Sequence, residues 1–351
     1  MRTLIPWLIV AIFSAACGGG QPAADSRASV GVGTTGQING AGATFPYPIY
    51  SKWFEEYGRR HPDVKINYQS IGSGGGIRQI LNQTVAFGAT DGPMTDEQLK
   101  SAPGRIVHLP TVLGADVPVY NIPGISTELK FSGPLLADIF LGRVTRWNDP
   151  AIARLNARVS LPATSITVVH RAEASGTTYI WADYLSKTSA DWKSKVGVNT
   201  ALNWPTGVGG KGNEGVAGLV SQTPGSIGYV ELIYALQNKL TFGTVQNPAG
   251  EFVKASEASV TAAAAASAET MPADFRVSIT NASGAGAYPI SSFTWLLLYE
   301  EPKNKTEAKV LVDFLRWALT DGQQYAAPLG YAPLPEPVVR QELTTLDRIK
   351  T

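Results

Sequence analysis

Several residue types are scarce in this chain, and each scarcity excludes a class of structure. Its 351 residues include a single cysteine, so no disulfide can form within the chain. Charged residues make up 16% and the formal net charge is +1, without the strongly basic balance typical of nucleic-acid-binding proteins. The three histidines, His61, His108 and His170, show no metal-ligand spacing, and there is no HExxH motif or Cys/His cluster. No period of roughly 20–50 residues repeats, which excludes solenoids and propellers.

The N-terminus has the pattern of an export signal. Arg2 is followed by a short apolar run from Leu4 to Phe13 and then by the sequence SAAC, which ends at Cys17. This run is far shorter than the ~20 apolar residues of a membrane-spanning helix, so it predicts a cleaved signal peptide. The small residues before the cysteine resemble a bacterial lipoprotein cleavage box, with residues 1–17 as the signal and Cys17 as the acylated first residue. The first of them is serine where leucine is usual, and the alternative is that Cys17 is discarded or inert.

Composition and periodicity then predict a tether followed by an α/β fold. Residues 18–37 have almost no large apolar side chains, which predicts a flexible tether. Hydrophobic residues make up 44% of the chain, enough for a substantial core, and the length fits two domains better than one. The Ala-rich stretch Val260 to Ala268 predicts a surface helix. Alternation predicts a strand at 64–68, and apolar runs predict strands at 166–169 and 293–299. Helical spacing predicts helices at 49–57, 77–81, 180–185 and 310–315.

Three turns rich in small residues stand immediately ahead of predicted helices. They are GAGATFP at 40–46, GSGGG at 72–76 and RAEASGT at 171–177. The first turn of a helix has unpaired N–H groups and about half a positive charge, and glycine lets an anion approach them closely. A single such turn is most often an ordinary cap, but three of them, one with an arginine, favour a shared oxyanion site.

A fourth glycine-rich stretch, GVGGKGN at 207–213, does not fit the phosphate-binding P-loop. Gly212 stands directly after Lys211, where a P-loop needs Ser or Thr. No GxGxxG opens a helix with an acidic residue at the right distance, so a dinucleotide site is also unsupported.

From about Ile38 to its end, the chain resembles the periplasmic phosphate-binding proteins of bacterial ABC phosphate importers, the PstS family. The segments that carry the resemblance are GAGATFPYPIYSKW, INYQSIGSGGGIRQI, FGATDGPMTD, LADIFLGRVTRWNDPAIARLN, HRAEASGTT, WPTGVGGKGNEGV and PGSIGYVE.

The resemblance implies a two-lobed α/β fold of the Venus flytrap type, with two mixed-sheet domains joined by two crossover strands. Lobe I would be residues 38–111 plus 285–351, and lobe II would be residues 112–284. The implied protein is a monomer without cofactor or metal that delivers inorganic phosphate to the permease and ATPase of an ABC transporter. It would be located in the periplasm or at the cell surface, anchored through a lipid on Cys17.

The resemblance also implies a set of site residues. The phosphate ligands would be Thr44, Phe45, Ser73, Asp91, Arg171, Ser175, Gly176 and Thr177, with Glu173 supporting the arginine. Phe45 would act through its backbone N–H. The chain departs from the family in having Gly74 where a second Ser is frequent, Glu173-Ala174 where Asp-Gly is frequent, and His170 where Arg is common.

Asp91 would distinguish phosphate from sulfate. Near neutral pH phosphate keeps an O–H that an ionised carboxylate can accept, whereas sulfate meets the same carboxylate as a like charge. Without the resemblance, the position of Asp91 before Gly92-Pro93 favours a turn or capping role over a ligand role.

Two alternative functions remain open at this stage. One is a phosphatase or esterase that uses Ser175, although Ala174 and Gly176 around it do not form the GxSxG nucleophile elbow. The other is a phosphate sensor or adhesin that never feeds a transporter.

Overall fold

The protein is described by a computed structural model that covers residues 36–268 and 271–351. The predicted signal peptide, Cys17 and almost all of the predicted tether lie outside these residues. Within them, no helix combines the length and the apolarity that crossing a bilayer demands. The first strand begins at Gln37, close to the predicted start of the folded part at Ile38.

The described part contains twelve strands and twelve α-helices. The strands are β1 (Gln37–Gly42), β2 (Lys65–Ser70), β3 (Phe87–Thr90), β4 (Ile106–Asn121), β5 (Lys130–Phe131), β6 (Thr167–Arg171), β7 (Val208–Gly210), β8 (Ser226–Glu231), β9 (Thr241–Phe242), β10 (Thr244–Gln246), β11 (Phe252–Val253) and β12 (Ser291–Tyr299). The helices are α1 (Tyr47–Arg60), α2 (Ser73–Leu81), α3 (Asp96–Ser101), α4 (Gly133–Phe140), α5 (Pro150–Leu155), α6 (Gly176–Thr188), α7 (Ala190–Lys195), α8 (Gly212–Gln222), α9 (Leu232–Gln237), α10 (Glu257–Ala268), α11 (Lys305–Leu319) and α12 (Glu336–Leu346). Two short 3₁₀ helices span Asp321–Tyr325 and Ala327–Leu329.

One long strand, β4, joins two halves of a nine-stranded mixed sheet. The strand order is β2-β1-β3-β12-β4-β8-β6-β7, with β9 also paired to β4. Residues Ile106 to Ala115 of β4 pair with β12, and residues Asp116 to Asn121 pair with β8. The first half of the sheet is therefore β1, β2, β3, β12 and β4 up to Ala115. The second half is β6, β7, β8, β9 and β4 from Asp116.

This mixed α/β arrangement agrees with the predicted fold class. The change of strand partner at Ala115/Asp116 lies a few residues after the predicted lobe boundary at residue 111. The lobe boundaries themselves stay a prediction. The strands β11, β10 and β5 form a separate three-stranded sheet.

The burial of β12 and α1 agrees with the patterns that predicted a strand and a helix there. Every residue of β12 is buried, as expected of a continuous apolar run in a central strand. Helix α1 buries Ile49, Tyr50, Trp53 and Tyr57 on one face, and the indole N–H of Trp53 donates to the Gly322 carbonyl over 2.7 Å.

Helix α10 lies on the surface as predicted, with Thr261 and Ala265 exposed, but its other face is covered. Val260, Ala263 and Ala264 are buried, and the helix packs against β4 and β12. Small side chains allow a helix to approach a sheet closely, so alanine here serves packing as well as helix propensity.

Candidate functional site

Each of the three predicted turns opens a helix, as expected from the sequence. Helix α1 begins at Tyr47, α2 at Ser73 and α6 at Gly176. The hydroxyl of Ser175 caps α6 by accepting the N–H of Thr178 over 3.2 Å. A hydroxyl that accepts one bond keeps its own hydrogen for donation, so this capping role is compatible with a ligand role.

The candidate residues lie just beyond the carboxyl ends of parallel strands. Strands β1, β2 and β3 are parallel, and Thr44, Ser73 and Asp91 follow them in that order. In the second half of the sheet β6 and β7 are parallel; Arg171 ends β6, and Asn213 follows β7. Open α/β sheets bind ligands at this edge.

Thr44 and Phe45 are both buried between β1 and α1. The Thr44 carbonyl accepts the Tyr234 hydroxyl over 2.6 Å, and the Phe45 carbonyl accepts the Tyr331 hydroxyl over 2.6 Å. The ring of Phe45 packs on that of Tyr331 with centroids 6.3 Å apart. The side chain of Phe45 therefore belongs to the core, which leaves its backbone as the part able to bind a ligand.

Asp91 is a buried carboxylate held by two hydroxyls. Its Oδ1 accepts from Thr294 Oγ1 over 2.8 Å, and its Oδ2 lies 3.5 Å from Ser73 Oγ. The Asp91 N–H donates to Ser73 Oγ over 3.2 Å. Burial raises the pKa of Asp91 from its ordinary 3.8 to about 7, against opposing effects of Thr294, Arg171 and Ser73.

Arg171 is a buried cation whose orientation is fixed by its neighbours. Its Nε donates to Glu173 Oε1 over 3.0 Å, its Nη2 donates to the same oxygen, and its Nη1 donates to Thr177 Oγ1 over 3.0 Å. The Gly212 N–H also donates to Glu173 Oε1 over 3.1 Å. A planar guanidinium held in this way presents a fixed set of donors.

The residues that follow β1 to β3 and the residues that follow β6 come together at Gly176. A Cβ added there would lie 2.5 Å from Asp91 Oδ2 and 2.5 Å from Ser73 Oγ. Nearby, the Gly74 N–H donates to the Ala174 carbonyl over 3.1 Å. Thr44, Ser73, Asp91, Arg171, Glu173, Ser175, Gly176 and Thr177 are thus brought into one cluster, together with the backbone of Phe45.

Asn213 belongs to the same cluster, although the sequence did not single it out. It is fully buried at the start of α8 and bonds the hydroxyls of both Thr44 and Thr177. It lies in the stretch GVGGKGN, which departs from the P-loop pattern and gives no local signal of a role for Asn213. Thr294, the partner of Asp91, was missed because it lies in β12, far away in the sequence.

Two further buried carboxylates lie beside the cluster. Asp116 in β4 is the direct cross-strand partner of Glu231 in β8, and both are fully buried. Burial first, and then the charges of Asp91 and Glu231, raise the pKa of Asp116 well above its ordinary value. Burial is also the main cause of the raised pKa of Glu231. Arg171 acts on Asp116 in the opposite direction.

Metal binding and histidine-based catalysis find little support among the described residues. Within residues 36–268 and 271–351, no group of three or more His, Cys, Asp and Glu residues could hold a metal ion. The His170 ring stacks on Trp204 with centroids 4.6 Å apart, and its Nδ1 lies 3.0 Å from the Arg171 carbonyl oxygen. It is thus engaged with Trp204 and the backbone.

Comparisons with known proteins agree with this picture. The family model described as PBP superfamily domain matches residues 28–321. A phosphate-binding protein PstS of Xylella fastidiosa is 47% identical over 321 residues, which are 91% of this chain and 86% of that protein. A phosphate-binding protein PstS of Pasteurella multocida is 48% identical over 305 residues, which are 87% of this chain and 88% of that protein.

Among solved structures, similarity extends to the fold. A high affinity periplasmic phosphate-binding protein (PfluDING), bound with phosphate, superimposes with a TM-score of 0.70 at 22% identity. The alignment covers 88% of this chain and 92% of that one. The predicted two-lobed periplasmic-binding-protein fold is thereby confirmed.

Proposed function

This chain belongs to the PBP superfamily and, within it, to the PstS family of phosphate-binding proteins, and on that premise we propose that it captures inorganic phosphate for an ABC-type importer. The phosphate is bound where the starts of α1, α2, α6 and α8 converge. Its ligands are Thr44, the backbone of Phe45, Ser73, Asp91, Arg171, Ser175, Gly176 and Thr177, and Glu173 orients the arginine.

One observation carries this proposal: hydroxyl and guanidinium donors from both halves of the sheet converge in one cluster that contains the buried carboxylate of Asp91. Hydroxyl and N–H donors suit the oxygens of a tetrahedral oxyanion. The charges of Arg171, Glu173 and Asp91 do not sum to a positive value. Attraction for the anion therefore comes from oriented dipoles at helix starts, which agrees with a net charge of only +1.

Asp91 gives the site its preference for phosphate over sulfate. Above its pKa of about 7, the ionised Asp91 carboxylate accepts the O–H that phosphate keeps. Sulfate brings no proton to this contact. Sites that require a donor on the ligand reject analogues without it by about 10⁴-fold or more.

Replacement of Asp91 tests this role. Asp91→Asn puts an amide where the carboxylate was, so an N–H can face a sulfate oxygen and the preference for phosphate should fall by at least about 100-fold. Equilibrium dialysis with labelled phosphate and labelled sulfate measures both affinities. Asp63→Asn, in an exposed turn, is the matched control and should leave the preference unchanged. Unchanged selectivity of Asp91→Asn would overturn the role given to Asp91.

Binding without catalysis fits the surroundings of Ser175. Its hydroxyl caps α6, whereas the nearest histidine in sequence, His170, stacks on Trp204 and lies beside a backbone carbonyl. A nucleophilic serine needs a base within hydrogen-bond reach. The protein should therefore release no phosphate from phosphate esters.

The cellular setting follows from the family and the N-terminal sequence. We place the protein outside the inner membrane as a monomer, anchored through a lipid on Cys17, where it delivers phosphate to the permease and ATPase complex. Phosphate uptake by cells that lack this chain should fall, whereas uptake unchanged from wild type would favour a sensor or adhesin. Labelling with a fatty acid, lost in Cys17→Ala, tests the anchor.

A further inference from the structure

Asn213 makes four hydrogen bonds, two of which connect the halves of the sheet. Its Nδ2 donates to Thr44 Oγ1 over 2.8 Å and to Thr177 Oγ1 over 3.2 Å, and its backbone N–H donates to Thr44 Oγ1 over 3.4 Å. Its Oδ1 accepts the backbone N–H of Glu231 over 2.9 Å. Thr44 follows β1 in the first half of the sheet, and Thr177 and Glu231 belong to the second half.

The orientation of the Asn213 amide is fixed by its partner on β8. The Glu231 N–H can only donate, so the amide oxygen must be the atom that faces it. The amide nitrogen, with its two N–H donors, then faces the hydroxyls of Thr44 and Thr177. The two hydroxyl oxygens are therefore acceptors in these bonds.

Each of the two hydroxyl oxygens accepts a second N–H bond. Thr177 Oγ1 accepts from Arg171 Nη1 over 3.0 Å as well as from Asn213 Nδ2. Thr44 Oγ1 accepts from both the Nδ2 and the backbone N–H of Asn213. A hydroxyl oxygen has two lone pairs, so with both taken the only group left to bond a ligand is its O–H. Each hydroxyl can therefore bond a ligand only as a hydrogen-bond donor.

We propose that Asn213 is a positioning residue of the anion site, which fixes Thr44 and Thr177 as hydrogen-bond donors. This inference rests on the proposed function. With Asn213 in place, the two threonines offer hydrogens and Asp91 offers the acceptor, so the ligand must present several bare oxygens and one proton. Because the Thr44 bonds cross between the halves of the sheet, the donor pattern is complete only when the halves are together.

A double-mutant cycle tests whether Asn213 acts through the two hydroxyls. Asn213→Ala should weaken phosphate binding by about 10–100-fold in the wild-type background, because the hydroxyls lose their fixed direction. In a Thr44→Val, Thr177→Val background the same substitution should change the affinity by no more than about threefold, since no hydroxyl remains to be oriented. Titration calorimetry with inorganic phosphate measures all four affinities. An equal loss in both backgrounds would overturn the proposal.

A second variant separates donor polarity from simple packing. Asn213→Asp keeps an oxygen for the Glu231 N–H but replaces the amide donors by an acceptor, which would draw the two O–H groups away from the ligand. We expect it to bind phosphate at least as weakly as Asn213→Ala. Recovery of wild-type affinity in Asn213→Asp would show that only the bond to Glu231 matters, and the proposal would fail.

The control substitution is at Asn156, another buried asparagine with three backbone bonds, to Lys130 twice and Ile152 once. It lies at the end of α5, and Asn156→Ala should leave phosphate affinity within about twofold of wild type. If wild-type protein binds no phosphate, the proposed function fails and this inference fails with it. If wild type binds phosphate but the cycle is additive, only the role of Asn213 fails.

Discussion

A methyl group at Gly176 should disturb the proposed phosphate site by steric overlap with its neighbours. Gly176 starts α6, and a Cβ there would lie 2.5 Å from Asp91 Oδ2, 2.5 Å from Ser73 Oγ and 2.6 Å from Asp91 Cβ. These distances are well below ordinary van der Waals contact, so Gly176→Ala must push α6 away from Ser73 and Asp91. Ser73 and Asp91 follow strands of the first half of the sheet, whereas α6 follows β6 of the second half. The displacement therefore separates the two halves at the site.

The size of the effect follows from the cost of overpacking. Extra methylene groups in a tightly packed site typically cost about 1–3 kcal/mol. At about 1.4 kcal/mol per factor of ten, phosphate affinity should fall by about 5–150-fold. The free energy of unfolding without phosphate should change less, because the halves can separate to relieve the clash when no ligand holds them together.

The assay is calorimetric titration with phosphate, combined with urea denaturation in phosphate-free buffer. Gly218→Ala is the matched control, since Gly218 lies in helix α8 and an added Cβ would meet no atom within 4 Å. It should bind phosphate as wild type does and be slightly more stable, as expected of alanine in a helix. Unchanged phosphate affinity in Gly176→Ala would refute the packing of Gly176 against Asp91 and Ser73.

Two further substitutions test the charges. Arg171→Lys keeps the positive charge but loses the planar donor fork that reaches Thr177 and Glu173, so phosphate affinity should fall by about 10–100-fold in the same titration, and undiminished affinity would contradict the fork. Glu342 in α12 is fully buried, and burial raises its pKa well above the ordinary 4.5, so its folded form binds a proton more tightly than its unfolded form. Its stabilising effect is then present below the ordinary glutamate pKa and is lost as pH rises. Relative to wild type, Glu342→Gln should gain about 1–3 kcal/mol in the free energy of unfolding between pH ~4.5 and pH ~8, measured by urea denaturation; parallel pH profiles would contradict this.

The parts of the structure that were predictable from the sequence depend on local patterns. The helix starts at Tyr47, Ser73 and Gly176 follow from small residues placed before amphipathic runs, and β12 follows from an unbroken apolar run. The placement of Thr44, Ser73 and Asp91 after parallel strands then brings them to one edge of the sheet.

The parts that were not predictable depend on contacts between distant segments. Asn213 has a role only because α8 meets Thr44 and Thr177 in space, and no spacing in the chain indicates this. The buried pair Asp116 and Glu231 depends on the register between β4 and β8. The packed face of the surface helix α10 was not predictable, because an alanine-rich sequence has no periodicity that distinguishes a packed face from an exposed one.

The proposed selectivity for a tetrahedral oxyanion that carries a proton depends on a cage of donors with one carboxylate. The most direct measurement is calorimetric titration of the wild-type protein with phosphate and, separately, with sulfate at pH ~8, above the pKa of Asp91. We expect one phosphate bound per chain and no measurable heat from sulfate at the same concentrations. Comparable binding of the two anions, or no binding of phosphate, would contradict it.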